Sequence, residues 1–297
     1  MIVVTTPTGQ IGRRLTELLL SAGEPVRVIV RDPSRLSPQV RDRVEVVAGS
    51  HGDPDAVDRA FAGADSVFWL VPPDYRAKSL DAAYLDFTRP ACEAIVSRGV
   101  RRVVGVSALG RGFPGRAGLV SASLAMDELI AATGVAYRAL AMPSFMDNLL
   151  RDAKSIGGQG VFSGMTLGDR KVPACATRDI AAVAARLLRD TTWTGTEDVP
   201  VLGPEDLTMH DMARIMSEVL GRPVRYEQVT AETFRAGLLA HGMSEAMAEG
   251  MVEMMEAKNA GLDNAAPRTP GSSTPTSFRE WCGEVLKPAV EGVGARS

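Results

Sequence analysis

Short β-branched runs alternate with longer helix-period segments over the first half of this chain, and that alternation leaves few folds open. The runs cover residues 2–5, 26–30, 44–47, 66–71, 102–106 and 136–141. Each is nearly continuous in apolar residues, the pattern of strands covered by helices on both faces of a parallel sheet. Between the first two, Ile11, Leu15, Leu18, Leu19 and Ala22 recur at helical spacing, and Gly23 supplies a stop. Ala56, Ala60 and Phe61, and then Ala91, Ala94 and Ile95, continue the alternation. Crossovers between parallel strands are right-handed in nearly all cases. The spacing therefore predicts an α/β chain with a Rossmann-type, doubly wound parallel sheet.

After about residue 150 the pattern loosens. Gly157-Gly158-Gln159-Gly160 is a turn cluster, and Val172-Pro173 reads as an edge or short strand. A helix over 179–189 and a strand over 199–202 are expected to rejoin the first sheet. Helices over 207–220, 231–240 and 244–258 read as a smaller, discontinuous C-terminal α+β cap, with Thr208 and Asp211 spaced as a helix-capping pair. A Pro/Thr/Ser/Gly-rich loop over 267–277 precedes a final helix over 278–286. The expected division is 1–150, rejoined by about 176–203, against 151–175 and 204–297. Met243, Met247, Met251, Met254 and Met255 fall at helical spacing. Ordinary core packing explains the stripe, and a permissive substrate wall is the alternative.

Charge excludes some partners. Lys plus Arg number 33 against 36 acids, a net −3, and no long one-sign block occurs. Neither a nucleic-acid backbone nor an anionic membrane finds an electrostatic footprint here. Arg101-Arg102, and Arg111 with Arg116, read as solvated faces. The three cysteines, Cys92, Cys175 and Cys282, follow neither a disulfide nor a metal spacing, which suits a reducing cytoplasm. No apolar run reaches the ~18 residues of a membrane helix. Residues 1–6 enter a strand at once, with no basic region or cleavage pattern, so no secretory signal is expected.

The chemistry concentrates in Thr6-Pro7-Thr8-Gly9-Gln10-Ile11-Gly12, between the first strand and the first helix. A turn there lets backbone N–H groups approach a diphosphate, and the helix amino terminus adds its positive end. Gly9 permits close approach and Gly12 close packing of helix on sheet. The second strand ends in Val30-Arg31-Asp32-Pro33-Ser34-Arg35. An NAD enzyme places an acid near this point. Arg31 suits a 2′-phosphate instead, unless it is merely paired with Asp32.

These segments, with others in order and spacing, resemble the NmrA-like proteins, a branch of the atypical short-chain dehydrogenase/reductases. The others are Val71-Pro72-Pro73, Gly99-Val100-Arg101-Arg102-Val103-Val104 with Ser107, Pro143-Ser144-Phe145-Met146-Asp147-Asn148-Leu149, Thr177-Arg178-Asp179-Ile180, Leu202-Gly203-Pro204-Glu205 and Glu218-Val219-Leu220-Gly221-Arg222-Pro223-Val224. The resemblance implies a Rossmann domain binding NADP(H), with NAD(H) the lesser choice, and a smaller part covering a small-molecule substrate. It implies that Thr8, Gly9, Gln10, Ile11 and Gly12 hold the diphosphate and that Arg31 takes the 2′-phosphate, with Thr6 and Arg35 also among the cofactor-binding residues. Val71, Pro72 and Ser107 would run along the ribose and nicotinamide, with Pro143, Ser144 and Phe145 bordering the nicotinamide. A homodimer is the one protein partner this reading leaves open.

The departures matter. Thr6 stands where the family has its first glycine, and Pro7 after it disfavours a left-handed turn. Ser50-His51 stands where relatives carry Asp-Leu, and Ala108 replaces a second serine. The Tyr-x-x-x-Lys pair of ordinary short-chain dehydrogenases is absent: Tyr84 is followed by Thr88 at the lysine spacing, and Val120-Ser121-Ala122-Ser123-Leu124-Ala125-Met126-Asp127-Glu128 holds neither residue. Ser107 and Ser123 are the remaining candidate catalytic donors, with a helix or turn cap the alternative for Ser107. His210 and His241 have no companion ligands, so no metal is expected. The reading is an NADPH-dependent reductase of a conjugated acceptor, quinone-, azo- or enone-like. The alternatives are a non-catalytic dinucleotide-sensing regulator and a lyase or isomerase on the same fold.

Overall fold

The structure, a computed structural model, describes residues 1–294. The chain divides into two compact units. The first comprises Met1–Ala108, Val120–Ala141 and Ile180–Val199; the second comprises Leu109–Leu119, Met142–Asp179 and the chain from Pro200 onward.

The first unit is built on β1 (Ile2–Val4), β2 (Val26–Val30), β3 (Glu45–Ala48), β4 (Ser66–Trp69), β5 (Arg102–Ala108) and β6 (Ala136–Met142). Further along the chain come β7 (Ser144–Phe145), β8 (Val161–Gly164), β9 (Val172–Cys175), β10 (Thr196–Pro200), β11 (Asp206–Leu207) and β12 (Arg225–Gln228). A seven-stranded sheet runs in the order β10-β6-β5-β4-β1-β2-β3. β1 lies parallel to both β2 and β4, with Val3 opposite Arg27 on one side and Val67 on the other. The chain steps outward from β1 to β3 and then crosses to β4, so the strand order reverses beside β1. Open α/β sheets bind ligands at that crevice.

The helices of this unit are α1 (Gln10–Ser21), α2 (Pro38–Arg41), α3 (Pro54–Phe61), α4 (Phe87–Arg98) and α5 (Leu119–Ala131). α1 forms because Ile11, Leu15 and Leu19 share one face, which is buried against the sheet core of Val3, Val28 and Phe68. The apolar run at 44–47 predicted a strand covered on both sides, but β3 is the sheet's last strand and Val46 is 36% exposed. Arg102 also departs from expectation. It is buried and donates from Nη1 to the Thr191 carbonyl at 3.0 Å instead of facing solvent.

In the second unit β9 lies between β11 and β7, and β12 pairs with β8. The Val172-Pro173 strand is therefore short but central. Its helices are α6 (Ala153–Gln159), α8 (Met209–Leu220), α9 (Ala231–Ala240), α10 (Glu245–Asn259), α11 (Phe278–Trp281) and α12 (Lys287–Gly294), while α7 (Thr177–Arg189) belongs to the first unit from Ile180 on. Phe278, Trp281, Ile156, Phe162 and Met216 form its core. Thr208 and Asp211 make the reciprocal capping box their spacing suggested. The final helix outruns 278–286, because a π turn over Cys282–Leu286 leads on into α12, whose second residue is Pro288. The strand expected over 199–202 is displaced to β10, since Leu202 is claimed by the Ser272–Thr274 segment through two 2.7 Å backbone hydrogen bonds. Of the methionine stripe, Met247 is fully buried while Met243, Met251, Met254 and Met255 are half-buried, so core packing explains only part of it. All three cysteines are free and buried. Among the described residues no helix is long and apolar enough to cross a membrane.

Candidate functional site

The loop from β1 to α1 is tied down at its start. Thr5 Oγ1 donates to the Phe68 carbonyl and accepts from the Leu70 N–H, each at 3.0 Å, which fixes the loop to β4. Thr6 then takes a left-handed conformation, φ 52°. This overturns the expectation from Thr6-Pro7. The pre-proline preference loses because two other contacts within the same loop fix the turn. The Gly9 N–H closes onto the Thr6 carbonyl at 3.0 Å. A Cβ on Gly12 would sit 2.2 Å from that same oxygen, so only glycine lets α1 seat against the loop. On Gly9 the corresponding distance is 3.4 Å, leaving room for a methyl group as far as the protein is concerned.

Thr6 carries a further cost. Its Oγ1 is buried and has no hydrogen-bond partner among the described residues. A left-handed L-residue costs roughly 1–2 kcal/mol, and an unsatisfied buried hydroxyl roughly 1–3 kcal/mol. Thr6→Gly is accordingly expected to raise the stability of dinucleotide-free protein by about 1 kcal/mol in denaturant unfolding, after glycine's own entropy cost. A loss of stability would show that the turn is not strained.

α1 begins at Gly9 without a side-chain cap. Elsewhere Asp53, Thr208, Thr230, Ser244 and Ser277 cap α3, α8, α9, α10 and α11. An uncapped amino terminus directs backbone N–H groups and the positive helix end outward, the arrangement that receives an anion. Thr6, Thr8 and Gly9 line a cleft of about 890 Å³, together with Arg31 and Arg35 after β2, Ser50 and His51 after β3, and Pro72 and Lys78 after β4. Arg31, Arg35 and Lys78 are exposed and enter no ion pair among the described residues.

Asp32 does not neutralise Arg31. Its Oδ1 accepts from the Ser34 hydroxyl at 2.7 Å and the Ser34 N–H at 3.0 Å. Those bonds hold its carboxyl below the usual carboxylate range. Asp74, the acid on the opposite wall, is occupied in the same way by the Arg76 N–H at 2.9 Å. His51 is buried, its ring edge-on to Trp69 and Phe87, and it contacts the Leu70 carbonyl from Nε2 at 3.0 Å. A carbonyl only accepts, so Nε2 carries the proton. Burial, helped by the Arg31 charge and opposed by the Leu70 bond, pushes the imidazole down to about 4, so His51 is neutral at pH 7.

The other candidates lie elsewhere. Ile11, Gly12 and Val71 are buried behind the cleft wall, and Gln10 is the exposed first residue of α1. Pro143, Ser144 and Phe145 belong to the second unit, where Ser144 and Phe145 pair with Ala174 and Cys175. Ser107, at the carboxyl end of β5, does not line this cleft and caps no helix. Its hydroxyl donates to Asp127 Oδ2 on α5, while the Tyr137 hydroxyl on β6 donates to Asp127 Oδ1 at 2.6 Å. Gly105 makes this arrangement possible, since a Cβ there would lie 2.1 Å from the Tyr137 hydroxyl. Ser123 is buried one turn before Asp127 on the same helix face. The sequence reading passed over Asp127 and Tyr137. The available signal was Asp127 falling at helical spacing with Ser123, Met126 and Ile130 in a mainly apolar helix. Tyr84 lies in a π turn over Ala82–Asp86, and burial pushes its phenol up.

The donor set fits a nicotinamide dinucleotide: an orphaned hydroxyl, an uncapped helix amino terminus and three unpaired cations around one cleft. The comparisons with known proteins agree. A family model described as NAD(P)H-binding matches residues 7–191, and the model of the NmrA-like family matches residues 130–281. The chain is 33% identical to a (4-alkanoyl-5-oxo-2,5-dihydrofuran-3-yl)methyl phosphate reductase of Streptomyces griseus over 96% of this chain and 97% of that protein. It is 31% identical to an NAD(P)H azoreductase of Xenophilus azovorans over 86% of each. An NADPH-dependent quinone oxidoreductase of Escherichia coli has the same fold, with a TM-score of 0.76 at 22% identity, covering 96% of this chain and 100% of that one. By its motifs, its fold and these matches along nearly its whole length, the chain belongs to the NmrA-like family and carries that family's NAD(P)H-binding domain.

Proposed function

We propose that the protein is an NADPH-dependent reductase of conjugated small molecules, quinone-, azo- or enone-like. The observation that carries this is the placement of Arg31, Arg35 and Lys78, which enter no ion pair among the described residues, around the uncapped start of α1. The N–H groups of the α1 first turn, with Thr6, Thr8 and Gly9, would hold the diphosphate, and Arg31 and Arg35 the 2′-phosphate. NADPH, when bound, supplies a hydride. The printed names of two relatives, a furanone phosphate reductase and an azoreductase, support an unsaturated acceptor. So does the missing Tyr-x-x-x-Lys pair. A positioned acid contributes roughly 10²–10⁴-fold to a step that needs its proton, and an acceptor whose reduced oxyanion is delocalised needs that help less than a simple ketone does. Ser107 and Ser123 are the proposed small donors toward the substrate. Three buried, unbridged cysteines support a reducing, cytoplasmic setting.

The test is loss of NADPH absorbance with a panel of quinones, azo dyes and enones, beside simple ketones. Turnover with the conjugated panel and little with ketones is expected. Tight, oxidation-state-selective dinucleotide binding without turnover on any member would replace the enzyme with a sensor.

A further inference from the structure

The buried carboxyl group of Asp127 has no part in dinucleotide binding. It is 2% exposed, with one oxygen bonded to Ser107 and the other to Tyr137. Burying a carboxyl is expensive unless hydrogen bonds repay it, and this site spends a strand glycine, Gly105, to bring the Tyr137 hydroxyl within reach. Ser107 is 7% exposed and ends β5, on the strand edge where open α/β sheets meet their ligands. The cluster is thus fully buried at Tyr137 and reaches slight exposure at Ser107.

We propose that Asp127 is the proton reserve for substrate reduction, Ser107 its outlet and Tyr137 the positioning residue that steadies it. This rests on the reductase reading above. In the arrangement described, both hydroxyls donate to a carboxylate. Uptake of one proton from water converts Asp127 to the acid, which then donates to Ser107 Oγ and frees the Ser107 O–H for the acceptor. An acceptor oxygen that has become anionic by taking the hydride removes the Ser107 proton as the Asp127 proton moves to Ser107 Oγ. One O–H bond forms on the product and one breaks at Asp127. The carboxylate left behind is again held by Ser107 and Tyr137, and water reloads it.

Two readouts test this, one of them independent of turnover. Infrared difference spectra of dinucleotide-free wild type against Asp127→Asn, recorded from high to low pH, should show a carboxylate band give way to a protonated-carboxyl band present only in the wild type. In turnover, Asp127→Asn should lower kcat with a quinone, which needs hydride and proton, by about 100-fold. With a cationic triarylmethane dye, which is quenched by hydride alone, kcat should stay within about twofold because no proton is called for. Tyr137→Phe should shift the same ratio in the same direction, and NADPH affinity should be unchanged in both variants. Absence of the band, or equal losses with quinone and dye, or no loss with quinone, would overturn the proton reserve while leaving the reductase reading intact. If wild type reduces quinones only, the decision passes to the solvent deuterium isotope effect on kcat, and an effect unchanged by Asp127→Asn would overturn the proposal. Wild type that oxidises NADPH with neither acceptor overturns both readings.

Discussion

Arg31→Asp is expected to weaken NADPH binding by roughly 100-fold and NADH binding by no more than about threefold, measured by titration calorimetry. A guanidinium–phosphate pair with charge-assisted hydrogen bonds contributes about 1.5–3 kcal/mol, and each 1.4 kcal/mol is about a factor of ten. Reversing the charge adds repulsion to that loss. The substitution is a clean probe because Arg31 is exposed and enters no ion pair among the described residues. Equal losses for the two dinucleotides would reject the 2′-phosphate assignment. Arg35, farther along the same wall, should give a smaller effect of the same sign.

Gly12→Ala and Gly9→Ala should separate two roles that a glycine count merges. A methyl on Gly12 meets the Thr6 carbonyl oxygen at 2.2 Å and its carbon at 2.8 Å, both backbone atoms that cannot swing aside. Overpacking of this kind is expected to cost about 3 kcal/mol, lowering Tm by roughly 6–12 °C, with dinucleotide binding lost alongside. A methyl on Gly9 meets nothing closer than 3.4 Å. Its Tm should be nearly unchanged, while NADPH binding falls about tenfold because the methyl stands where the diphosphate must approach the backbone. Equal falls in Tm for the two variants would place both glycines in packing alone.

The sheet was legible because its strands announce themselves by apolar runs and its helices by a 3.6-residue period. Periodicity says nothing about a strand's place in the sheet, so the exposure of Val46 on β3 was not legible. Nor was the displacement of the 199–202 strand, which depends on pairing with residues some 70 positions later. In the site, the turn between β1 and α1 and the exposed cations after β2 that share its cleft could be read from local pattern. The left-handed Thr6 could not, because a contact with Gly12 overrules the pre-proline preference. The Ser107–Asp127–Tyr137 cluster joins three separate elements, and no local spacing encodes it.

The chain's three thiols bear on survival during turnover. Quinones and enones are electrophiles that alkylate thiolates, so a protein that holds them works beside a reagent for its own cysteines. Burial pushes the Cys92 thiol up to about 11 and the Cys282 thiol up to about 12, and it raises that of Cys175 further. Kept as buried, protonated thiols, they are poor nucleophiles toward such compounds. A protein whose thiols are held this way resists alkylation by electrophilic small molecules.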